Sequence, residues 1–254
     1  WHGSWSGFWI AVDTVIGVSV SFVPLASDYS RHARSARDAF NSAFFGYGIT
    51  QIACYALGLV ALVTVAHEDS TRIFSSFMAV PVGTLAFAVI AIRELDQSFA
   101  DTYSTAVSVQ NLRPHWDRRV LAAVIGVAAT VCALALNIND YENFLILIGS
   151  VFVPLLGVLV VDYFLISRGR WNLNADSRPR WTTLVPWLLG FVAYQLVNPG
   201  YVSWWQGAWT HVQSWLHFTP QTWMSASIFS FVVASAGALL LGPLRRAPAK
   251  ETVC

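Results

Sequence analysis

The sequence predicts an all-α protein that crosses a membrane about seven times, and three observations carry this prediction. Only 15 basic and 14 acidic residues occur among the 254, so charged residues make up 11%, against about 25% in soluble domains. Hydrophobic residues make up 56%, and the mean hydropathy is +0.53. Apolar stretches also recur that approach the roughly 20 residues a helix needs to cross a bilayer.

Seven such stretches, each bounded by polar, glycine or proline residues, are the predicted spans. In chain order they cover residues 8–26, 40–66, 80–109, 120–136, 144–166, 184–199 and 223–241. After the sixth span, residues 201–221 hold four tryptophans and two histidines. Amphipathic aromatic rings prefer the membrane interface, which predicts an outer interfacial segment here. A partner or ligand surface is the alternative for these tryptophans.

The basic residues predict the orientation of the chain. Of the 15, 13 lie in every second connection or in the tail: Arg31, Arg34, Arg37, Arg113, Arg118, Arg119, Arg168, Arg170, Arg178, Arg180, Arg245, Arg246 and Lys250. Because cytoplasmic loops are enriched in lysine and arginine, the N-terminus is predicted outside and the C-terminus in the cytoplasm of a multi-pass cell-membrane protein. An outside start, an odd span count and Trp1 in place of Met lead us to expect a C-terminal piece with earlier spans missing.

Composition and motifs argue against several other classes. A net charge of +1 with no long basic run gives no footprint for nucleic acid. The His, Asp and Glu residues meet no metal-ligand spacing, and neither a phosphate-binding loop nor a nucleophile elbow occurs. The sequence therefore gives no ground for an enzyme, a metal site or a cofactor.

Seven spans from outside to inside are also the topology of rhodopsins and receptors. The only lysine, Lys250, lies in the tail, so a retinal Schiff base has no membrane lysine. The receptor-like strings at residues 28–31 and 198–201 stand on the wrong spans, and the second reads as a helix stop and turn. A receptor-type signalling protein remains the alternative to a transporter, with a passive assembly subunit as a further one.

Polar residues interrupt the third span. They are Arg93, Glu94, Asp96, Gln97, Ser98, Asp101 and Thr102. Because an ionisable residue at the bilayer centre costs about 2.5–3.5 kcal/mol, such groups are usually paired and line an ion or solute path. An internal salt-bridge lock without a transport role is the alternative.

The second half of the first span joins Gly17, Ser19, Ser21 and Pro24. A proline removes a backbone hydrogen bond, and interrupted helices in carriers expose backbone groups to a solute at the membrane midplane. A broken helix is one interpretation of this pattern. An intact span with a proline kink and serines bonded to their own helix is the other.

Two runs carry a family resemblance: S-D-Y-S-R at residues 27–31 and F-V-P-L-L-G-V-L-V-V-D-Y-F at residues 152–164. They resemble the nucleobase:cation symporter-1 family, the purine/cytosine, hydantoin and allantoin permeases. The resemblance implies a LeuT-like fold of two inverted five-helix repeats and two further helices, with these spans as helices six to twelve. Residues 1–170 would then be the second repeat. Residues 171–254 would hold the two last helices, the interfacial segment and a cytoplasmic tail.

The resemblance also implies roles for single residues. Ser19, Ser21 and Phe22 fall in the family's broken sixth helix, where solute binds. Relatives have two hydroxyl residues and an Asn in the eighth helix, where this chain has Asp96, Gln97 and Ser98. The departure weakens sodium coupling, and Thr102 matches a later solute contact.

These observations together predict the C-terminal part of a secondary transporter that carries a nucleobase-like heterocycle by alternating access, with Na⁺ or H⁺ as the coupling ion. Its partners would be the solute, membrane lipid and the missing N-terminal helices of the same carrier. For coupling we expect Arg93 to replace the sodium charge, paired with Asp96, and an unpaired Glu94 or Asp101 to carry a proton. The alternative is that Arg93 is a structural lock and sodium still binds.

Overall fold

The computed structural model describes residues 5–26, 30, 33–64, 81–135, 141–170 and 181–242. Within these ranges the chain forms helices and no strands. The predicted tail at 243–254 and most of the S-D-Y-S-R run lie outside the described residues.

A helix lies at the position of each predicted span. In chain order the helices are α1 (Trp5–Ser21), α2 (Ala36–Asn41), α3 (Gly48–Thr64), α4 (Pro81–Leu112), α5 (Arg118–Ala135), α6 (Tyr141–Val160), α7 (Trp181–Val197), α8 (Ser203–Trp215) and α9 (Ala226–Leu241). A π-helical segment, Ser42–Tyr47, joins α2 to α3, and another, Val161–Ile166, extends α6. The predicted interfacial segment forms α8.

In the part of the chain that the structure describes, two helices are long and apolar enough to cross a membrane, Ala36–Val60 and Asn143–Ile166. Three shorter apolar helices cover Gly7–Ser21, Thr182–Val197 and Ala226–Leu241. The all-helical class is confirmed, whereas the number of spans and their topology stay predictions.

Two ends differ from the predicted spans for local reasons. The first span was expected to run to Ala26, but α1 ends at Ser21 and a short 3₁₀ turn, Val23–Leu25, follows. Proline disfavours helical backbone in the residue before it, so Pro24 stops the helix early. The last helix begins at Ala226 because Ser225 is its N-cap, with its hydroxyl accepting from the Ile228 N–H at 3.1 Å.

By packing, the chain divides into two compact units, Trp1–Pro24 with Leu136–Cys254, and Leu25–Ala135. In the first unit α6, α7 and α9 pack on one another, while α1 packs on α6 and contacts α9. In the second unit α4 packs on α5. The proposed repeat boundary at residue 170 is a different kind of division and stays a prediction.

Small residues let the helices of the first unit approach closely. At Gly190 of α7 an added Cβ would lie 2.5 Å from the Pro154 Cβ and 2.7 Å from the Ala234 Cβ. At Gly157 of α6 it would lie 2.9 Å from the Phe231 carbonyl oxygen. Close backbone approach at small residues is how helices associate without a hydrophobic driving force.

A side-chain hydrogen bond from a neighbouring helix lies close to the proline in α6. Pro154 is fully buried and leaves the helix without one backbone N–H. The Trp187 indole N–H of α7 donates to the nearby Val151 carbonyl at 2.9 Å. This contact joins α7 to α6 one turn before Pro154.

Candidate functional site

The polar residues of α4 form a ladder of contacts along one helix. The Arg93 Nη1 atom lies 3.7 Å from the Asp96 Oδ2 atom, and both side chains are highly exposed, at 79% and 78%. One turn further, the Gln97 Nε2 atom donates to the Asp101 Oδ1 atom at 3.0 Å. The structure thus brings four of the five predicted coupling residues into two adjacent pairs.

The fifth predicted coupling residue, Glu94, has an exposed side chain. Its backbone carbonyl accepts from the Ser98 hydroxyl at 2.8 Å. Within the described residues the Glu94 carboxylate forms no hydrogen bond or ion pair. Thr102 is half-buried, whereas Ser98 is exposed. Of the two carboxylates expected to be available for a proton, Glu94 is therefore the one without a partner here.

The end of α1 carries the other predicted solute contacts. The helix is continuous through Gly17 and ends at Ser21, whose hydroxyl donates to the Val18 carbonyl at 2.6 Å. The Phe22 N–H donates to the Ser19 carbonyl at 3.3 Å, and all three predicted residues are half-buried. The hydrogen bond from the Ser21 hydroxyl to its own helix matches the interpretation of an intact helix with bonded serines. The helix nevertheless ends at Ser21, four residues past Gly17 and inside the predicted span.

These two groups of predicted residues belong to different compact units. Ser19, Ser21 and Phe22 lie in the first unit, and the polar residues of α4 lie in the second. In the described part of the chain, no three His, Cys, Asp or Glu side chains come together in a way that could hold a metal ion.

A buried polar cluster in the first unit was not among the predicted site residues. The Asp13 carboxylate of α1 accepts from the Ser225 hydroxyl at 2.5 Å, from the Ala226 N–H at 2.9 Å and from the Ser227 N–H at 3.0 Å. Asp13 is 6% exposed. The donors lie at the N-terminus of α9, where exposed N–H groups and the helix dipole favour an anion.

Tyr194 of α7 completes the surroundings of this cluster. It belongs to the same buried cluster as Ala226, and a Cβ added at Gly149 of α6 would lie 2.9 Å from its hydroxyl oxygen. Asp13 is the one ionisable residue of an apolar span, which is a sequence signal for a functional or paired group. Its partner could not be found from sequence, because Ser225 reads as an ordinary N-cap.

The predicted interfacial helix is fixed to α7 along one face. The Trp205 indole N–H donates to the buried Gln195 Oε1 atom at 2.9 Å, and the Gln213 amide donates to the Leu196 carbonyl at 2.9 Å. Trp204 and Trp215 are highly exposed, at 73% and 78%. Because these two residues are three helical turns apart, they share the opposite face of α8.

A strongly apolar chain that is helical throughout its described residues, with charged side chains on an apolar helix, fits the class of helical membrane proteins. The chain belongs to the family described as permeases for cytosine/purines, uracil, thiamine and allantoin, which matches residues 1–194. It is therefore a membrane-embedded protein of a transporter family rather than an enzyme, which confirms the predicted family.

Two curated relatives support the assignment. The putative purine-cytosine permease YxlA of Bacillus subtilis (strain 168) is 23% identical over 208 residues, which cover 73% of this chain and 45% of that protein. The putative allantoin permease of Escherichia coli (strain K12) is 22% identical over 180 residues, which cover 66% of this chain and 37% of that protein. The chain thus spans less than half the length of these relatives. No solved structure matches the chain.

Proposed function

We propose that the protein to which this chain belongs is a secondary active transporter of a nucleobase-like heterocycle, such as cytosine, a purine, allantoin, a hydantoin or a thiamine-precursor pyrimidine. The observation that carries the proposal is the family match over residues 1–194. The names of the two relatives, a purine-cytosine and an allantoin permease, point to the same class of solute. This match also leaves the receptor-type alternative without support.

The ladder on α4 supports a transport path. In a membrane-embedded protein, Arg93 and Asp96 would each cost about 2.5–3.5 kcal/mol if they faced lipid tails. The ladder stands on an apolar helix, beside Leu95 and Phe99, whose side chains are also exposed. A polar partner or a water-filled path therefore has to cover the charged face of α4. In our proposal other helices of the same carrier and a water-filled path cover it.

For the solute, we assign contacts within each compact unit separately, at the end of α1 in the first unit and at two residues of α4 in the second. Near the end of α1 the chain leaves the helix, where the last carbonyls lack helical donors and each keeps a second lone pair that can accept from a ring N–H. Phe22 offers an aromatic face on which a planar heterocycle can stack. On α4, Ser98 and Thr102 would add hydroxyl contacts.

For coupling, we assign the proton to Glu94. Asp96 is paired with Arg93 and Asp101 with Gln97, so Glu94 is the carboxylate of the ladder left without a partner in the described residues. The fixed charge of Arg93 opposes a sodium ion at the same place by simple Coulomb repulsion. Movement of solute and proton would then follow alternating access. Sodium coupling, with Arg93 as a structural lock, is the competing assignment.

A competition assay tests the proposed function and narrows the solute. Cells that express the complete gene product should accumulate one radiolabelled heterocycle of the set, and unlabelled members with the same ring edge should compete. The proposal would be refuted if these cells took up no member of the set faster than cells with an empty vector.

A further inference from the structure

The Asp13 cluster joins two helices that are far apart in sequence. Asp13 lies in the middle of α1, and its three donors lie at the start of α9. The carboxylate is buried, and so are Ser225, Ala226 and Ser227. One hydroxyl and two backbone N–H groups at the N-terminus of α9 therefore hold the Asp13 side chain at a fixed place.

A second contact fixes α1 one turn further along. At Gly17 an added Cβ would lie 3.0 Å from the Leu145 carbonyl oxygen, so α1 and α6 meet at backbone distance. Beyond Gly17 the buried side chain is Val20, and the residues that follow it are half-buried up to Val23. The part of α1 from Asp13 to Gly17 is thus held by two neighbouring helices.

We propose that Asp13 is a positioning residue for solute binding: its link to the first turn of α9 fixes the height and rotation of α1 and so places Ser19, Ser21 and Phe22. This inference rests on the proposed function. Asp13 stands six residues before Ser19 and eight before Ser21, about 9 and 12 Å along the helix axis. A rotation of α1 at Asp13 therefore carries directly to Ser19 and Ser21, because the helix from Asp13 to Ser21 is unbroken, and Phe22 directly follows it.

The same geometry shows why a neutral amide cannot replace the carboxylate. Asp13 accepts at both oxygens, Oδ1 from the Ser225 hydroxyl and Ser227 N–H, and Oδ2 from the Ala226 N–H. Asn would keep one acceptor and turn an NH₂ group toward a backbone N–H. At least one of the three hydrogen bonds is then lost, and the attraction to the helix dipole is lost with it.

Kinetics of the complete carrier test the inference. Asp13→Asn should raise KM for the heterocycle about fivefold, which corresponds to the loss of roughly one hydrogen bond in placing the site. Ser225→Ala removes the hydroxyl donor to Asp13 together with the N-cap of α9, and it should raise KM by about twofold to threefold. Ser225→Thr keeps the hydroxyl, and Thr14→Val alters a neighbour that donates only to its own helix, at the Ile10 carbonyl. Both controls should keep the KM of the unmodified carrier.

A labelling arm separates this inference from the proposed function. Ser21→Cys, placed in a background in which Cys54, Cys132 and Cys254 are replaced, reports the position of the α1 end through its rate of maleimide modification. Asp13→Asn should change that rate about fivefold relative to Thr14→Val. If the unmodified carrier transports no heterocycle, the proposed function fails. The labelling rate still tests whether Asp13 fixes the position of the α1 end.

A purely structural role for the cluster would give a different set of results. If Asp13→Asn and Ser225→Ala lower only the amount of folded carrier, with KM and the labelling rate at Ser21→Cys unchanged, the cluster is purely structural. Should Asp13→Asn fail to fold, Ser225→Ala decides alone, since it retains the carboxylate and both backbone donors.

Discussion

Arg93 and Asp96 lie one helical turn apart on α4 and form an ion pair of 3.7 Å between Nη1 and Oδ2, with both side chains highly exposed. In water such a pair contributes at most about 1 kcal/mol. Inside a membrane the same two groups are costly unless polar groups or water surround them. The pair is therefore the feature of the second unit that most directly ties the structure to transport.

The first prediction concerns the coupling ion. In our account, uptake by the unmodified carrier is driven by a pH gradient and is indifferent to the replacement of sodium by choline. Arg93→Asn should confer sodium dependence, because it removes the positive charge that repels a cation beside Asp96. Proteoliposome uptake in sodium and choline buffers measures this. Arg113→Asn, an exposed arginine just beyond α4, is the matched control, and strict sodium dependence of the unmodified protein would refute the proton assignment.

The second prediction concerns the end of α1. Ser21→Leu should raise KM about tenfold, a loss of roughly 1.4 kcal/mol, because a bulky side chain replaces a half-buried hydroxyl at the proposed solute contact. Its amount in the membrane should stay that of the unmodified carrier. Val15→Leu, an exposed position on the same helix, controls for added bulk. Kinetics of Ser21→Leu that match the unmodified carrier would take α1 out of the site.

The third prediction concerns packing in the first unit. Gly190→Val should lower the free energy of unfolding by about 1–3 kcal/mol, the usual cost of overpacking. The reason is that even a Cβ would lie within 2.7 Å of both Pro154 and Ala234 side-chain atoms. Gly58→Ala is the control, since a Cβ there meets nothing within 4 Å. Thermal unfolding in detergent compares them, and equal stability of the two variants would show that α7 has room at Gly190.

The fourth prediction concerns orientation. A membrane-impermeant thiol reagent added outside should modify single cysteines introduced at Asp69, Asp140 or Gln213. It should spare cysteines introduced at Ser35, Asp117 or Ser177, which lie in the arginine-rich connections kept in the cytoplasm by the positive-inside rule. If the reagent modified a cysteine at the Ser177 position from outside, the orientation of the chain would be the reverse of the predicted one.

Much of the helical layout could be predicted from sequence, because apolar stretches between charged connections specify membrane helices directly. The end of α1 was misplaced because Pro24 acts on the preceding residues more strongly than hydropathy indicates. The link between Asp13 and Ser225 could not be predicted, since 212 residues separate them and only tertiary packing brings them together. Similarly, the pairs on α4 follow from helical spacing, whereas what covers their charged face depends on groups beyond that helix.

We propose that this chain belongs to a heterocycle transporter, and reconstitution of the purified, complete gene product tests this most directly. Proteoliposomes that contain no other protein should accumulate the radiolabelled heterocycle selected by competition above its external concentration when the outside is made acidic. Accumulation should collapse when a protonophore removes the gradient. The account would be contradicted if proteoliposomes with folded, inserted carrier held no more heterocycle than protein-free liposomes.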